Sequence, residues 1–252
     1  MKAFRADLHL HTVLSPCGDL EMSPARLVEQ AHLLGLNIIG ITHHNSTKHA
    51  PLVEKLANKK GIFTLCGAEV TSKEEVHLLC FMPNEERLKN LQNYIDEHLK
   101  KIPNKPNYFG EQLLVNEKEE ILNEEPYLLI NALDQDVDEI SAFVYEQGGI
   151  FIPAHIDRAT FSLTSQLGFV PPDLKCHAYE ISKHTTKEQM IGTAPYLKNA
   201  CFIQSSDAHY ITDVASAFSV MHLEELTFDE IKKALAGIDG RFCTTLAQNS
   251  IS

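Results

Sequence analysis

Apolar and polar positions alternate over Ala6-Asp7-Leu8-His9-Leu10-His11-Thr12, the period-two signature of a strand, with Asp7, His9 and His11 on one face and Leu8 and Leu10 on the other. Helical spacing follows. Ser23 and Pro24 read as an N-cap and first helical residue, Leu27, Val28, Ala31 and Leu34 share a face, and Gly35 closes the turn. Residues 38–42 are then almost all apolar, as in a strand buried on both faces. The alternation continues with a helix over 51–57, a strand over 62–68, an apolar run over 78–82 and a helix over 85–99. Residues 102–111, rich in proline and asparagine, predict a loop within an inserted or lid-like excursion near 100–126. Asp136 and Glu139 have capping-box spacing ahead of Ile140, Phe143 and Val144, and Gly148-Gly149 ends that helix. Further strands are predicted over 150–154, 178–181, 202–205, 217–221 and 241–244, with Thr227 and Glu230 opening a last helix.

This succession, with no glycine-rich phosphate loop, favours a barrel-like α/β fold over a dinucleotide-binding sheet, and 252 residues suffice for one such domain. In a parallel barrel the C-terminal strand ends share one mouth. Metal-ligand residue types stand at five of those ends: His9 and His11, His43-His44, Glu69, His155, then Asp207 and His209. A lone His-x-His is an ordinary exposed pattern, and a divalent ion needs four or more donors; the other strand ends supply them. His77 precedes its apolar run and lies outside this rule. His32, His49, His98, His177 and His222 fit no pattern and read as structural or surface residues.

Composition narrows the picture. With 44% hydrophobic and 22% charged residues the chain reads as a soluble globular protein, and no apolar run approaches the roughly 18 residues of a membrane span. Asp7, His9 and His11 interrupt the place of a signal-peptide core, so a cytoplasmic location is expected. The six cysteines contain no C-x-x-C pair and read as reduced thiols. The net charge is −12, with eleven acidic residues and one lysine between Glu111 and Glu146. Such acidity argues against a nucleic acid polymer as partner. The oligomeric state is left open.

Together, Asp7-Leu8-His9-Leu10-His11-Thr12, Ile41-Thr42-His43-His44-Asn45, Gly67-Ala68-Glu69, His77-Leu78-Leu79, Pro153-Ala154-His155 and Ser206-Asp207-Ala208-His209 resemble, in order, the motifs of the polymerase and histidinol phosphatase (PHP) superfamily of metal-dependent phosphoesterases. The resemblance implies a single distorted (β/α)7 TIM-like barrel with two or three divalent ions, Zn, Mn or Fe, at the mouth. Carried over, it gives one ion His9, His11, Glu69 and Asp207, makes Glu69 bridge to a second bound by His77 and His155, and gives a third Asp19, His44 and His209. In two places the chain departs from the family. His43 stands where the family has an aspartate, in a catalytic position, and the longer loop Ser15-Pro16-Cys17-Gly18-Asp19 offers Cys17 as an alternative to Asp19. Asp7 is assigned to orient a ligating histidine. Arg158, three residues after His155, is assigned to the substrate phosphate, with Lys183 and His184 as further candidates. The implied reaction is hydrolysis of a small phosphorylated metabolite or nucleotide by a hydroxide bridging two ions. Two alternatives stand beside it: C–N hydrolysis, since amidohydrolase barrels also begin with His-x-His, and a non-catalytic metal-dependent binding module.

Overall fold

Three parallel strands, β1 (Lys2–Leu10), β2 (Ile38–Ile41) and β3 (Phe63–Thr71), follow one another in space as in sequence, linked by α1 (Pro24–Leu33) and α2 (Ala50–Asn58). A computed structural model describes residues 1–245 of the chain. Both helices begin as the sequence dictates: Ser23 Oγ accepts the Arg26 N–H at 3.3 Å, and a proline occupies the first turn of each.

The next strand breaks the parallel pattern. β4 (His77–Phe81) folds back antiparallel on β3, and β7 (Ile150–Pro153) runs antiparallel to β4, which restores the direction of β3. Beyond β7 come β8 (Tyr179–Glu180) and β9 (Phe202–Ile203), a parallel pair. The His177 N–H donates to Phe151 O and the Ile156 N–H to Glu180 O, both at 2.9 Å, so β8 lies alongside β7 in the same direction. After β9 the chain reaches β1 again, where the His11 N–H meets Ala208 O at 3.1 Å and the Ala208 N–H meets His9 O at 3.3 Å. The sheet thus curls into a distorted TIM-like barrel in which β4 alone is reversed. Of the candidate ligands, the strand-end rule leaves out Asp19, which lies in the β1–α1 loop, and His77. The reversal of β4 explains His77: a strand running the other way begins at the mouth.

Around this frame, α3 (Glu85–His98) and α5 (Val137–Glu146) pack with α1 and α2 on one hydrophobic cluster that includes Val28, Val53, Leu91, Ile140 and Phe151. The expected capping box is formed by Asp136 and Glu139. β10 (Ser219–Leu223) and β11 (Phe242–Thr245) extend the sheet antiparallel from β1, and α6 (Phe228–Ala236) closes a second cluster with Leu8, Ile38, Leu65 and Phe81. No helix among the described residues is long and apolar enough to cross a membrane.

The excursion near 100–126 carries its own structure, a short helix, α4 (Pro106–Phe109), and a hairpin of β5 (Leu113–Val115) and β6 (Ile121–Glu124). His49 docks it. Its Nε2 accepts the Val115 N–H at 3.0 Å, so Nδ1 carries the proton and donates to Thr12 Oγ1 at 2.7 Å. Burial pushes this ring's pKa from 6.5 down to about 4, so between those values the unfolded chain binds a proton the folded one does not. The stabilisation is complete above 6.5 and is lost as pH falls toward 4, by about 3 kcal/mol. Denaturant unfolding at pH 7 and pH 5 is expected to show a steeper loss for wild type than for His49→Gln; equal slopes would remove His49 from the account.

Several acids of the 111–146 stretch are held locally. Glu117 pairs with Lys55 at 2.9 Å, Glu125 with Lys48, Glu119 with Ser23, and Asp134 with His98 at 2.7 Å. The excess charge belongs to the stretch from the excursion to α5.

Candidate metal centre

One carboxylate organises the mouth. Glu69, on β3 and 1% exposed, has five imidazole nitrogens around it. Oε1 lies 2.8 Å from His77 Nδ1, 3.2 Å from His9 Nε2 and 3.3 Å from His155 Nε2. Oε2 lies 3.0 Å from His44 Nδ1 and 3.4 Å from His11 Nε2. Asp207 Oδ1 stands opposite, 3.2 Å from His9 Nε2 and 3.4 Å from His11 Nε2, with His209 Nδ1 at 3.6 Å. The β3–β4 register, Thr71 opposite His77 and Glu69 opposite Leu79, makes Glu69 and His77 diagonal neighbours on one face.

Three ligand groups emerge: His9 with His11 and Glu69, His44 with Glu69 and His77, and His11 with His44 and His209. The donors suit borderline divalent ions such as Zn, Mn or Fe(II). The surrounding hydrogen bonds support that fit. His9 Nε2, His11 Nε2, His44 Nδ1 and Glu69 Oε2 are buried without a hydrogen-bond partner. Each such atom costs about 1–3 kcal/mol if left bare, which a cation removes.

The electrostatics agree. Burial opposes charge on His9, but Glu180, Asp207 and Glu69 outweigh it and hold the ring well above its ordinary pKa. Burial would likewise raise the Glu69 carboxyl, yet His77, His9 and His44 keep it well below the carboxylate range. His209, by contrast, is pushed down to about 3 by burial and by His11, so its lone pair is available.

Backbone conformation is also tuned here. Asn45, His155 and Asp207 have positive φ of 44°, 29° and 51°. Such strain costs of order 1–3 kcal/mol at each residue and persists where the surroundings enforce it. Glu180 Oε2, accepting the His155 N–H at 3.0 Å, holds one of these turns.

The mouth therefore gathers His9, His11, His44, Glu69, His77, His155, Asp207 and His209, with Arg158 bonded to Asp207 at its rim. Other expected residues stand elsewhere. Asp7 orients no histidine: its carboxylate accepts the Ser206 N–H at 3.0 Å, the Ser206 hydroxyl at 2.6 Å and the Ala215 N–H at 3.0 Å. It lies two residues, ~7 Å, down the strand from His9 and so fixes the loop that carries Asp207. The orienting role falls to Glu180, whose Oε2 is 2.9 Å from His9 Nδ1. Sequence reasoning passed over Glu180; its one signal was a carboxylate inside the apolar run 178–181.

His43 is fully buried, its ring 5.5 Å from that of His49, and it lines neither cleft at the mouth, because consecutive residues point to opposite faces. Asp19 turns Oδ1 to the Glu21 N–H at 2.8 Å and joins no ligand group. Lys183 and His184 line a side cleft that shares Arg158 and Asp207 with the main one.

Comparison with known proteins places this geometry. Residues 7–160 match the PHP domain family, and the chain belongs to it. It is 25% identical to YqxK of Bacillus subtilis (strain 168), over 96% of this chain and 64% of that protein. Among solved structures it shares its fold with the lesion-specific endonuclease PfuEndoQ from Pyrococcus furiosus, at a TM-score of 0.70 and 22% identity over 96% of this chain and 58% of that one. It likewise superposes on endonuclease Q in complex with a 27-mer duplex bearing an abasic lesion at the active site, at a TM-score of 0.67 and 21% identity, with the same 96% and 58% coverage. The chain thus spans about 60% of the length of these proteins.

The DNA complex of this structural neighbour corrects the expectation that net charge argues against a nucleic acid partner. Total charge misled because the acids cluster on the excursion and α5, where lysines and caps hold many of them, while the mouth gathers donors for cations.

Proposed function

We propose that the chain is a metal-dependent phosphoesterase that cleaves phosphodiester bonds in DNA, acting on a nucleotide drawn out of the helix into the mouth. The observation that carries this reading is the buried Glu69, ringed by imidazole nitrogens and opening beside Arg158 onto a cleft of about 420 Å³. Such a cleft admits a nucleotide but not a stacked duplex, and enzymes working there extrude their target. Divalent ions, which His9, His11, His44, Glu69, His77 and Asp207 would hold, would supply Lewis-acid chemistry, lowering the pKa of water toward about 7 and taking charge from phosphoryl oxygens.

The chain's own residues do the rest. Glu180 keeps the proton on His9 Nδ1, and Ser15 Oγ, 2.9 Å from His11 Nδ1, does the same for His11, so both Nε2 lone pairs face the centre. Arg158 contacts Asp207 through one nitrogen only, which leaves its other donors for a phosphoryl oxygen. Phe161 stacks on His77, with ring centroids 4.8 Å apart, and covers its outer face. Lys183 and His184 are placed for a flanking phosphate. Beyond His184 a cavity of about 550 Å³, lined by Phe169, Tyr196, Asp157 and Gln189, suits a planar base. A central carboxylate in place of a bridging lysine supports ester over C–N hydrolysis, and the fold shared with endonuclease Q supports a strand over a free metabolite.

The test is cleavage of oligonucleotides with and without an abasic site by the chain loaded with Zn, Mn or Fe(II). Arg158→Ala is expected to lower kcat/KM by about 10²-fold, as for loss of one transition-state donor, at unchanged metal content. No cleavage with any of these metals, or turnover of small phosphomonoesters alone, would overturn the assignment.

A further inference from the structure

The segment 157–162, which follows β7, brings Arg158, Ala159, Thr160 and Phe161 to the wall of the cleft that holds His44, His77 and His209. Both of its ends are pinned. At the start, the Arg158 N–H closes on His155 O at 2.9 Å, and the Asp157 carboxylate accepts the Ser182 N–H at 2.7 Å and the Ser182 hydroxyl at 2.6 Å. At the end, the fully buried Ser162 donates through Oγ to Arg158 O at 2.7 Å and forms a capping box with Ser165. The four residues between these anchors are exposed.

Phe161 is the residue this path strains. Its φ of 55° lies in the left-handed region that a bulky side chain rarely enters, and the His77 N–H, donating to Phe161 O at 3.0 Å, holds it there. The turn lays the ring on His77, 9° from parallel, with centroids 4.8 Å apart. With one face covered in this way, the 42% of the residue that stays exposed presents the opposite face and the edge to the cleft. A single exposed apolar side chain is ordinary. Cover for His77, however, requires neither a flat side chain nor an open face, and this ring has both beside Arg158. Arg158 and Asp207 line this cleft and also the side cleft of Lys183 and His184, and His184 in turn lines the cavity of about 550 Å³. A phosphate at Arg158 therefore has the Phe161 ring within one cleft and the cavity at the end of the other.

We propose that Phe161 is a stacking platform for substrate: its open face receives the base on one side of the scissile phosphate, while the cavity beyond His184 takes the base on the other. This rests on the phosphodiesterase reading above. Stacking on a phenyl ring tolerates any base, because every base has a π-face, and phenylalanine brings no hydrogen-bonding group that could read one. The platform thus fixes where the strand lies against Arg158 without choosing its sequence. The strained turn has the ring in place before substrate arrives, so little ordering is left to do on binding.

The experiment compares wild type, Phe161→Leu and Phe161→Tyr on oligonucleotides that lack the base on one side of the cut or on the other. Cleavage is read beside bound metal per chain and beside the Kd of the metal-free chains for the same strands, by fluorescence anisotropy. Wild type is expected to lose about 10-fold in kcat/KM and in affinity when the base on the Phe161 side is removed, as for loss of one stacked base. Phe161→Leu should start lower by a similar factor on the complete strand, show no further loss when that base is removed, and keep the wild-type response to removal of the other base. Phe161→Tyr should behave as wild type, and all three should hold the same metal. A leucine variant that keeps the wild-type response to both bases would overturn the platform while leaving phosphodiester cleavage standing. So would one that falls equally on every strand together with its bound metal, which would make the ring a cover for His77 alone. Failure to bind or cleave any of these strands would overturn both readings.

Discussion

Glu69→Gln is expected to abolish phosphodiester cleavage, by at least about 10³-fold, and to lower the bound metal per chain. The replacement keeps the shape of the side chain, so the fold should remain, which circular dichroism would confirm. What it removes is the one negative charge shared by His9, His11, His44, His77 and His155. An amide has one oxygen in place of two equivalent ones and carries no charge, so it would hold divalent ions less well. Several kcal/mol of charge stabilisation go with it. At 1.36 kcal/mol per decade, that is three orders of magnitude or more in rate. Elemental analysis beside a cleavage assay checks it; activity within tenfold of wild type at full metal content would show that Glu69 is not the organising ligand.

Asn45→Ala is expected to destabilise the chain by about 3 kcal/mol. Asn45 sits fully buried at φ 44° after β2, a conformation that asparagine tolerates better than other side chains. Its Nδ2 donates to Leu129 O at 2.7 Å and Asn131 O at 2.8 Å, and its Oδ1 accepts the Thr71 N–H at 3.1 Å. Alanine leaves those three backbone groups unpaired, at about 1–3 kcal/mol each before relaxation. The melting temperature should fall by roughly 10 °C for a chain of this size. Because the Asn45 N–H also bonds Glu69 O at 2.9 Å, metal affinity should weaken in the same variant. A shift under a degree would mean that water or a repacked neighbour replaces the amide.

Much of the candidate site could be read from the sequence because its residues stand at the ends of short apolar runs, where a barrel concentrates its chemistry. Direction could not be read. An apolar run such as 78–82 looks the same in a parallel or a reversed strand, so the place of His77 emerged only from the pairing of β4 with β3 and β7. Second-layer partners were equally hidden. Asp7 meets Ser206 across 199 positions of sequence, and Glu180 meets His9 across 171, with no spacing to announce either pair. Charge misled for a related reason: a sum over the chain does not say which surface carries it.

The reversed β4 makes the mouth unequally tolerant of change. At most other strands the ligand is followed by a loop that can lengthen without moving it. Glu69 and His77, however, are locked together by the short turn 72–76, closed by the Ser72 N–H to Val76 O bond at 2.9 Å with Glu75 at φ 63°. A single inserted residue there would slip the hairpin register and swing His77 to the opposite face of the sheet. This five-residue turn is therefore where natural length variation should be scarcest, and where a designer should leave the chain untouched.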